Sequence, residues 1–135
     1  MKYFNVDLFT PDKVVAEGIK AKSIKVSTTR GEIGVLPEHT HLITKLFTGL
    51  LCIESDEGSQ YFTVSNGICK ILGDHITILS GTSETKDEID KNAALEEIKK
   101  VESKLLKTDL MSGEEIDALY ARIEMANARL KLLEI

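Results

Sequence analysis

The hydrophobic period of this chain changes once along its length, and that change limits the folds available to it. Upstream, apolar and polar residues alternate, as in Phe4–Phe9, and a period of two is typical of strands with one wet face. Downstream of Ser83 the period is helical, there is no proline, and Gly113 is the only glycine. The sequence therefore predicts a β domain over residues 1–84 and a helical domain over residues 85–135.

The β domain is predicted to contain many short strands. Turn-forming residues interrupt it at residues 10–12, 56–58, 66–67 and 73–74, where Gly, Pro, Asn and Asp favour tight turns. A short strand at residues 14–16 is expected to end at Gly18. Closely spaced short strands of this kind indicate an antiparallel sandwich or barrel.

The helical domain is predicted to form two helices. The first is expected at residues 87–107, with Thr85 and Glu88 as a capping box, and the second begins after a matching box of Ser112 and Glu115. Each helix has one apolar stripe: Ala94, Ile98, Val101 and Leu105 in the first, and Ile116, Leu119, Ile123, Ala126, Leu130 and Leu133 in the second. Two such helices with a short connector predict an antiparallel hairpin in which the stripes cover each other.

A hairpin of two helices buries little surface, so it is expected to be only marginally stable alone. Most helical stability in water comes from packing partners. The hairpin must therefore dock on the β domain or exchange that contact for another partner, which makes it a candidate mobile element.

Composition and charge exclude several function classes. The formal net charge is −5 with both signs mixed along the chain, whereas a nucleic-acid binder needs a basic face for phosphates. Cys52 and Cys69 lack metal-site spacing and are predicted to be small buried hydrophobes in a reducing compartment. A disulfide between them requires neighbouring strands, which the sequence leaves open.

The sequence shows no signal for membrane insertion or secretion. No apolar run approaches the ~20 residues of a membrane-spanning helix, and the first residues lack the apolar segment of a signal peptide. The chain is therefore expected to be cytosolic, or peripheral on a complex that it does not itself anchor.

The sequence also contains no recognisable catalytic constellation. There is no P-loop, no Gly-x-Ser-x-Gly elbow and no Cys/His metal array. His39 and His41 alternate beside Glu38, but a metal site needs further ligands that the sequence does not supply. The chain is predicted to have no catalytic residue and no metal, which makes a small enzyme the poorest interpretation.

Residues 31–46 combine two glycines, a short apolar run, a proline corner and a new strand. The pattern Gly-Glu-(apolar)-Gly-(apolar)-x-Pro-x-His-x-x-Leu-(apolar)-Thr resembles the signature of the epsilon subunit of F-type ATP synthase. Glu38 stands where glycine is usual in that family, and His41 where proline is usual. The resemblance covers the whole chain and implies a sandwich of about ten strands followed by a helical hairpin.

This resemblance implies a non-catalytic rotor subunit of the central stalk, which couples ion-driven c-ring rotation to ATP synthesis. The implied partners are the gamma subunit and the c-ring, with Glu32 and His39 as contact residues. The alpha and beta subunits are further partners in an inhibited state, in which Arg122, Arg129 and Lys131 are candidate contacts. The implied location is the cytoplasmic face of the bacterial inner membrane, reached only through the c-ring.

Some bacterial members of that family bind ATP between the helices through an Ile/Leu-Asp-x-x-Arg-Ala motif. Here Asp90 is present but Ala93 replaces the arginine, and in the second helix Arg129 matches while Met125 replaces another arginine. Loss of charged donors should weaken triphosphate binding, so no cofactor is expected. The alternative function is a generic adaptor that uses its sandwich and its hairpin for different proteins.

Overall fold

The computed structural model describes residues 3–28, 30–35 and 40–135 of the chain. Within these residues a two-sheet β sandwich precedes a helical hairpin, which confirms the predicted fold class. Nine strands are described: β1 Phe4–Phe9, β2 Val14–Ala21, β3 Ser23–Thr28, β4 Gly31–Val35, β5 Thr40–Leu46, β6 Gly49–Ser55, β7 Gly58–Val64, β8 Gly67–Gly73 and β9 His75–Ser80.

The strands form a five-stranded sheet in the order β2-β1-β9-β8-β5 and a four-stranded sheet in the order β4-β3-β6-β7. Neighbouring strands pair antiparallel, with one exception. The last strand, β9, inserts beside the first strand, β1, and these two run parallel. The expected antiparallel sandwich is therefore correct for the other described pairs and wrong for this one.

The prediction that the second strand ends at Gly18 is wrong, because β2 continues through this residue to Ala21. Gly18 adopts φ +66° and lies where the pairing register of β1 and β2 shifts. Its N–H donates to Asp7 Oδ1 at 2.8 Å. Glycine here forms a bulge, which bends a strand without ending it.

The sandwich core consists of the inward-facing apolar residues of both sheets, and it includes Cys69. Burial raises the pKa of the Cys69 thiol to about 11, because an apolar environment disfavours the charged thiolate. Cys52 lies on β6 of the other sheet, is only partly buried, and both thiols are free. On β6 the side chains of Leu51 and Ile53 enter the core and Cys52 lies between them on the opposite face of the sheet, so the two thiols are not paired in this structure.

The two helices are α1, Lys91–Leu105, and α2, Gly113–Leu133. The predicted first helix, residues 87–107, is wrong at both ends. Its expected capping box closes only a short 3-10 turn, Lys86–Glu88, and extended backbone at Ile89 then separates that turn from α1. The predicted cap of α2 is correct, since the Glu115 N–H donates to Ser112 Oγ at 3.2 Å.

Among the described residues, no helix has the length and apolar character needed to cross a bilayer.

The hairpin docks on the sandwich through α2, which packs on β6 and β7, while α1 packs mainly on α2. The predicted stripe of α2 includes the buried residues Leu119 and Ala126. A second set, Met125, Ala128 and Leu132, is buried on a different side of the helix. This second stripe was not predicted, because its three/four spacing overlaps that of the first.

Candidate functional site

The outer face of the five-stranded sheet carries a row of exposed apolar side chains, and among the described residues no helix is found packed on this sheet. Strand pairing places Ile68 beside Leu79, Leu79 beside Phe9, and Phe9 beside Val14. We call these four residues the apolar row. Leu79 is 49% exposed and Val14 is 53% exposed, which are large fractions for side chains of this type.

Two further apolar side chains flank the apolar row on the same face. Ile43 on β5 pairs with Lys70, and Leu72 on β8 pairs with His75 of β9. Ile43 is 67% exposed. Contiguous exposed apolar surface on a soluble domain marks an interaction site more often than scattered single residues do. The face is therefore suited to burial against a partner protein.

The part of the four-stranded sheet formed by β6 and β7, in contrast, is covered on its outer side by α2 and by the segment that leads into the hairpin. The N–H of Thr63 on β7 donates to the Glu84 carbonyl at 2.9 Å, and the Glu84 N–H donates to Thr63 Oγ1 at 2.9 Å. Arg129 Nε of α2 then donates to Glu84 Oε1 at 2.7 Å. Glu84 therefore connects the sheet, the linking segment and α2.

Glu32 and His39 were predicted to contact the c-ring or gamma. Glu32 is exposed on β4, where its carboxylate pairs with Lys25 Nζ at 2.9 Å and accepts from Ser27 Oγ at 3.1 Å. These hydrogen bonds, from Lys25 first and Ser27 second, lower the pKa of Glu32 below its ordinary value. His39 lies outside the described residues, while His41 is exposed on β5.

The residues predicted for ATP binding have structural partners here. Asp90 is the N-cap of α1, and its Oδ1 accepts from the Ala93 N–H at 3.2 Å. The guanidinium of Arg129 forms an ion pair with the Glu84 carboxylate. The hydrogen bonds recorded for the described residues do not join Asp90 to Arg129.

The predicted inhibitory contacts differ in how they are held. Arg122 pairs with Glu97 of α1, and Arg129 is held in the same way by Glu84. Lys131, in contrast, is exposed on α2. Two of the three cations are therefore engaged within the chain while the hairpin is docked.

Sequence reasoning missed the apolar row. Its signal was present, because β8 and β9 contain adjacent apolar residues such as Ile71 with Leu72 and Ile78 with Leu79. In a strand, neighbouring side chains point to opposite faces, so one member of each pair had to face outward. In the part of the chain that the structure describes, no cluster of three His, Cys, Asp or Glu side chains could hold a metal.

Residues 3–86 match the family model described as the ATP synthase delta/epsilon chain, beta-sandwich domain. Two curated relatives, the ATP synthase epsilon chains of Staphylococcus aureus strains JH9 and Newman, are each 31% identical to this chain. The matches cover 100% of this chain and 99% of each relative.

Two solved assemblies contain chains of similar fold. One is from the OSCP/F1/c-ring part of the Euglena gracilis mitochondrial ATP synthase, with a TM-score of 0.81, 18% identity, and coverage of 100% of this chain and 83% of that chain. The other is from the central stalk and c-ring of the Tetrahymena thermophila enzyme, with a TM-score of 0.59, 16% identity, and coverage of 98% and 97%. At these identities the likeness concerns the fold.

The family model and the curated relatives together show that the chain belongs to the ATP synthase epsilon family, whose members are non-catalytic subunits of the complex.

Proposed function

We propose that this chain is a central-stalk subunit that couples ion-driven c-ring rotation to ATP synthesis and inhibits ATP hydrolysis through its hairpin. The observation that carries the proposal is the contrast between the two outer faces of the sandwich. One face holds the chain's own hairpin, and the other offers an exposed apolar row. Such a subunit needs one permanent contact and one exchangeable contact, and the two faces can supply them.

The gamma subunit is the partner proposed for the apolar row. A rotor contact must stay closed under torque, and burial of apolar area is the main source of stable association. The support is the exposure of Leu79 and Val14 on a face on which none of the described helices packs. The c-ring is proposed to contact Glu32 on β4 and His39, so that the chain reaches the cytoplasmic face of the bacterial inner membrane only indirectly.

The hairpin is proposed to leave the sandwich and reach the alpha and beta subunits, where it obstructs rotation. This is a two-state element whose populations its partners bias. Release would free Arg129 from Glu84, and Lys131 is exposed already. Arg122, Arg129 and Lys131 are therefore the proposed contacts with acidic surface on those subunits.

ATP binding by the hairpin is proposed to be weak or absent. Asp90 is engaged as a helix cap and Arg129 is engaged by Glu84, while Ala93 and Met125 carry no charge. Isothermal titration of the full chain with ATP should therefore give no saturable heat at micromolar concentrations. Micromolar affinity would overturn this part of the proposal.

The regulatory part is tested by ATP hydrolysis in the assembled complex, with the full chain and with a chain that ends at Ser83. The shorter chain should still bind gamma, and hydrolysis should rise. Unchanged hydrolysis, with gamma binding retained, would remove the inhibitory role. Purification with proteins other than ATP synthase subunits would favour the alternative, a generic adaptor.

A further inference from the structure

Lys70 is an exposed cation on the outer face of the five-stranded sheet. Its strand, β8, runs between β9 and β5, and the pairing register places Thr77 on one side of it and Ile43 on the other. Along β8 the same face continues with Ile68 and Leu72, because side chains two residues apart point the same way. The three apolar neighbours are between 46% and 67% exposed. An ammonium group therefore stands among apolar side chains that the described helices leave uncovered.

The charge of Lys70 has no counter-ion among the described residues, whose ion pairs do not include it. The carboxylate in the same cross-strand row is Asp7, and Thr77 lies between them, so their strands are about 10 Å apart. Asp7 Oδ2 lies 3.0 Å from His75 Nε2, and the Gly18 N–H donates to Asp7 Oδ1 at 2.8 Å. The Asp7 side chain is only 16% exposed. This carboxylate is therefore held within the chain and does not serve Lys70.

Two further cations of this sheet lie on its edge strands. Lys45 Nζ on β5 lies 5.4 Å from the centre of the Phe47 ring, and Lys20 Nζ on β2 lies 6.0 Å from that of Tyr3. An aromatic ring compensates part of the charge of a cation above it. The cation–aromatic contacts found among the described residues do not include Lys70. Lys70 is therefore the charge that a partner covering this face has to accommodate.

We propose that Lys70 selects the partner of this face by pairing with a carboxylate that the gamma subunit sets within an apolar surface. The inference rests on the proposed function, in which gamma covers the apolar row. A protein that packs on Ile43, Ile68 and Leu72 also removes water from Lys70. Burial of an ammonium group without an opposite charge is strongly unfavourable, so the partner must bring an acidic side chain to this point.

A second copy of this chain is a poorer occupant of the face. In a two-fold dimer the same surface supplies both sides of the contact, and the two copies of Lys70 would repel each other. The carboxylate of this row, Asp7, is already engaged by His75 and Gly18. A different protein with its own exposed carboxylate avoids both problems. Such a charge pair also fixes the orientation of the partner and speeds association, whereas the apolar row supplies buried area.

The test measures binding of the full chain to immobilised gamma subunit by surface plasmon resonance. Lys70→Met keeps the long apolar stem but removes the charge, and it should weaken binding about tenfold because the gamma carboxylate would be buried alone. Lys70→Glu adds repulsion and should weaken binding about 100-fold. The controls, Lys99→Met and Lys99→Glu, make the same changes at an exposed position of α1 and should bind like the wild type. Thermal melting of the four variants should match that of the wild type.

A charge reversal identifies the acidic residue on the partner. Changing one Asp or Glu of gamma to Lys should restore the binding of the Lys70→Glu chain by about tenfold. The same gamma variant should bind the wild-type chain more weakly. Failure of every acidic position of gamma to give this pattern would overturn the proposed pair.

The outcomes separate this inference from the proposed function. If the wild-type chain binds gamma, Leu79→Asp loses that binding and Lys70→Met binds at least as tightly as the wild type, the inference is overturned while the gamma contact stands. The Lys70 ammonium would then reach water at the edge of the contact. If the wild-type chain does not bind gamma, both fail. A dimer of the free chain in sedimentation that Lys70→Glu dissociates would assign the face to a second copy and overturn the inference as well.

Discussion

The two sheets of the sandwich share one core but differ in what packs on their outer faces. On the four-stranded sheet, α2 packs on β6 and β7, and its residues Met125, Ala128 and Leu132 are buried. The outer face of the five-stranded sheet carries the apolar row and Ile43, and no described helix packs on it. One outer face is therefore buried in part by the chain's own helix, and the other is exposed and available to a partner protein.

The two faces also differ in the strength expected of their contacts. The hairpin is held by a narrow apolar stripe and by a small set of polar contacts at Glu84. A wide apolar face can bury more area and resist separation. We infer that the hairpin side can exchange its contacts while the apolar row forms the lasting one.

The largest expected effect comes from weakening the covered face. Leu132 is 1% exposed in α2, and Leu132→Ala should lower the free energy of hairpin docking by about 3 kcal/mol. Hydrogen exchange of α2 amides should accelerate accordingly, while protection of the β strands should persist. Leu130→Ala, at a partly buried position, is the milder control. Equal loss of protection in the strands would mean that sheets and hairpin unfold as one unit.

The next effect concerns the exposed face. Leu79→Asp should weaken gamma binding by about 2 kcal/mol, roughly 30-fold, because a carboxylate would be buried without a partner. Stability of the isolated chain should change little, since Leu79 is half exposed. Surface plasmon resonance with immobilised gamma subunit measures the affinity. Leu95→Asp, on an α1 leucine that is 42% exposed, is the control and should bind like the wild type. Unchanged affinity of the Leu79 variant would place the gamma contact elsewhere.

A smaller effect is expected at the link between the sheet and α2. Glu84→Gln removes the charge that Arg129 meets at 2.7 Å and should weaken docking by about 1 kcal/mol. The more exposed pair of Lys13 and Glu88 provides a comparison, because Glu88→Gln should cost less. Hydrogen exchange of α2 at low and high salt measures both. A larger loss for Glu88→Gln would contradict the role assigned to Glu84.

The smallest effect is a pH dependence within the hairpin. The hydrogen bond from Arg122 holds the pKa of Glu97 below its ordinary value of 4.5. A carboxylate with a lowered native pKa stabilises the fold above its unfolded pKa, and that contribution is lost as the pH falls through the native pKa. Helix content by circular dichroism should therefore differ between wild type and Glu97→Gln near neutrality and converge only when the pH falls below the lowered native pKa of Glu97. Parallel curves at all pH values would contradict this.

The sequence predicted the type and order of the strands and helices better than it predicted where each one begins and ends. The period of two and the later three/four spacing are local properties, so the sandwich, the hairpin and the cap at Ser112 could be predicted. The ends of α1 and the continuation of β2 through Gly18 could not. Glycine permits both a strand end and a bulge, and only the pairing of β2 with β1 decides between them.

The candidate sites show the same division. Glu32, Asp90 and Arg129 could be selected from their positions in sequence motifs, but their partners lie on other elements. The apolar row combines residues of β1, β2, β8 and β9, and no single strand displays it. Its discovery required the register of each pair, which sequence spacing does not provide.

The sequence by itself determined the two kinds of secondary structure, their order and the family, because side-chain periodicity and short motifs act over a few residues. The tertiary structure alone decided that the hairpin packs on the four-stranded sheet and that the described apolar row of the other sheet is exposed. It also decided that Glu32 and Arg129 are already paired within the chain. Those outcomes depend on contacts between residues far apart in sequence, whose free energy arises only when the strands and helices are packed together.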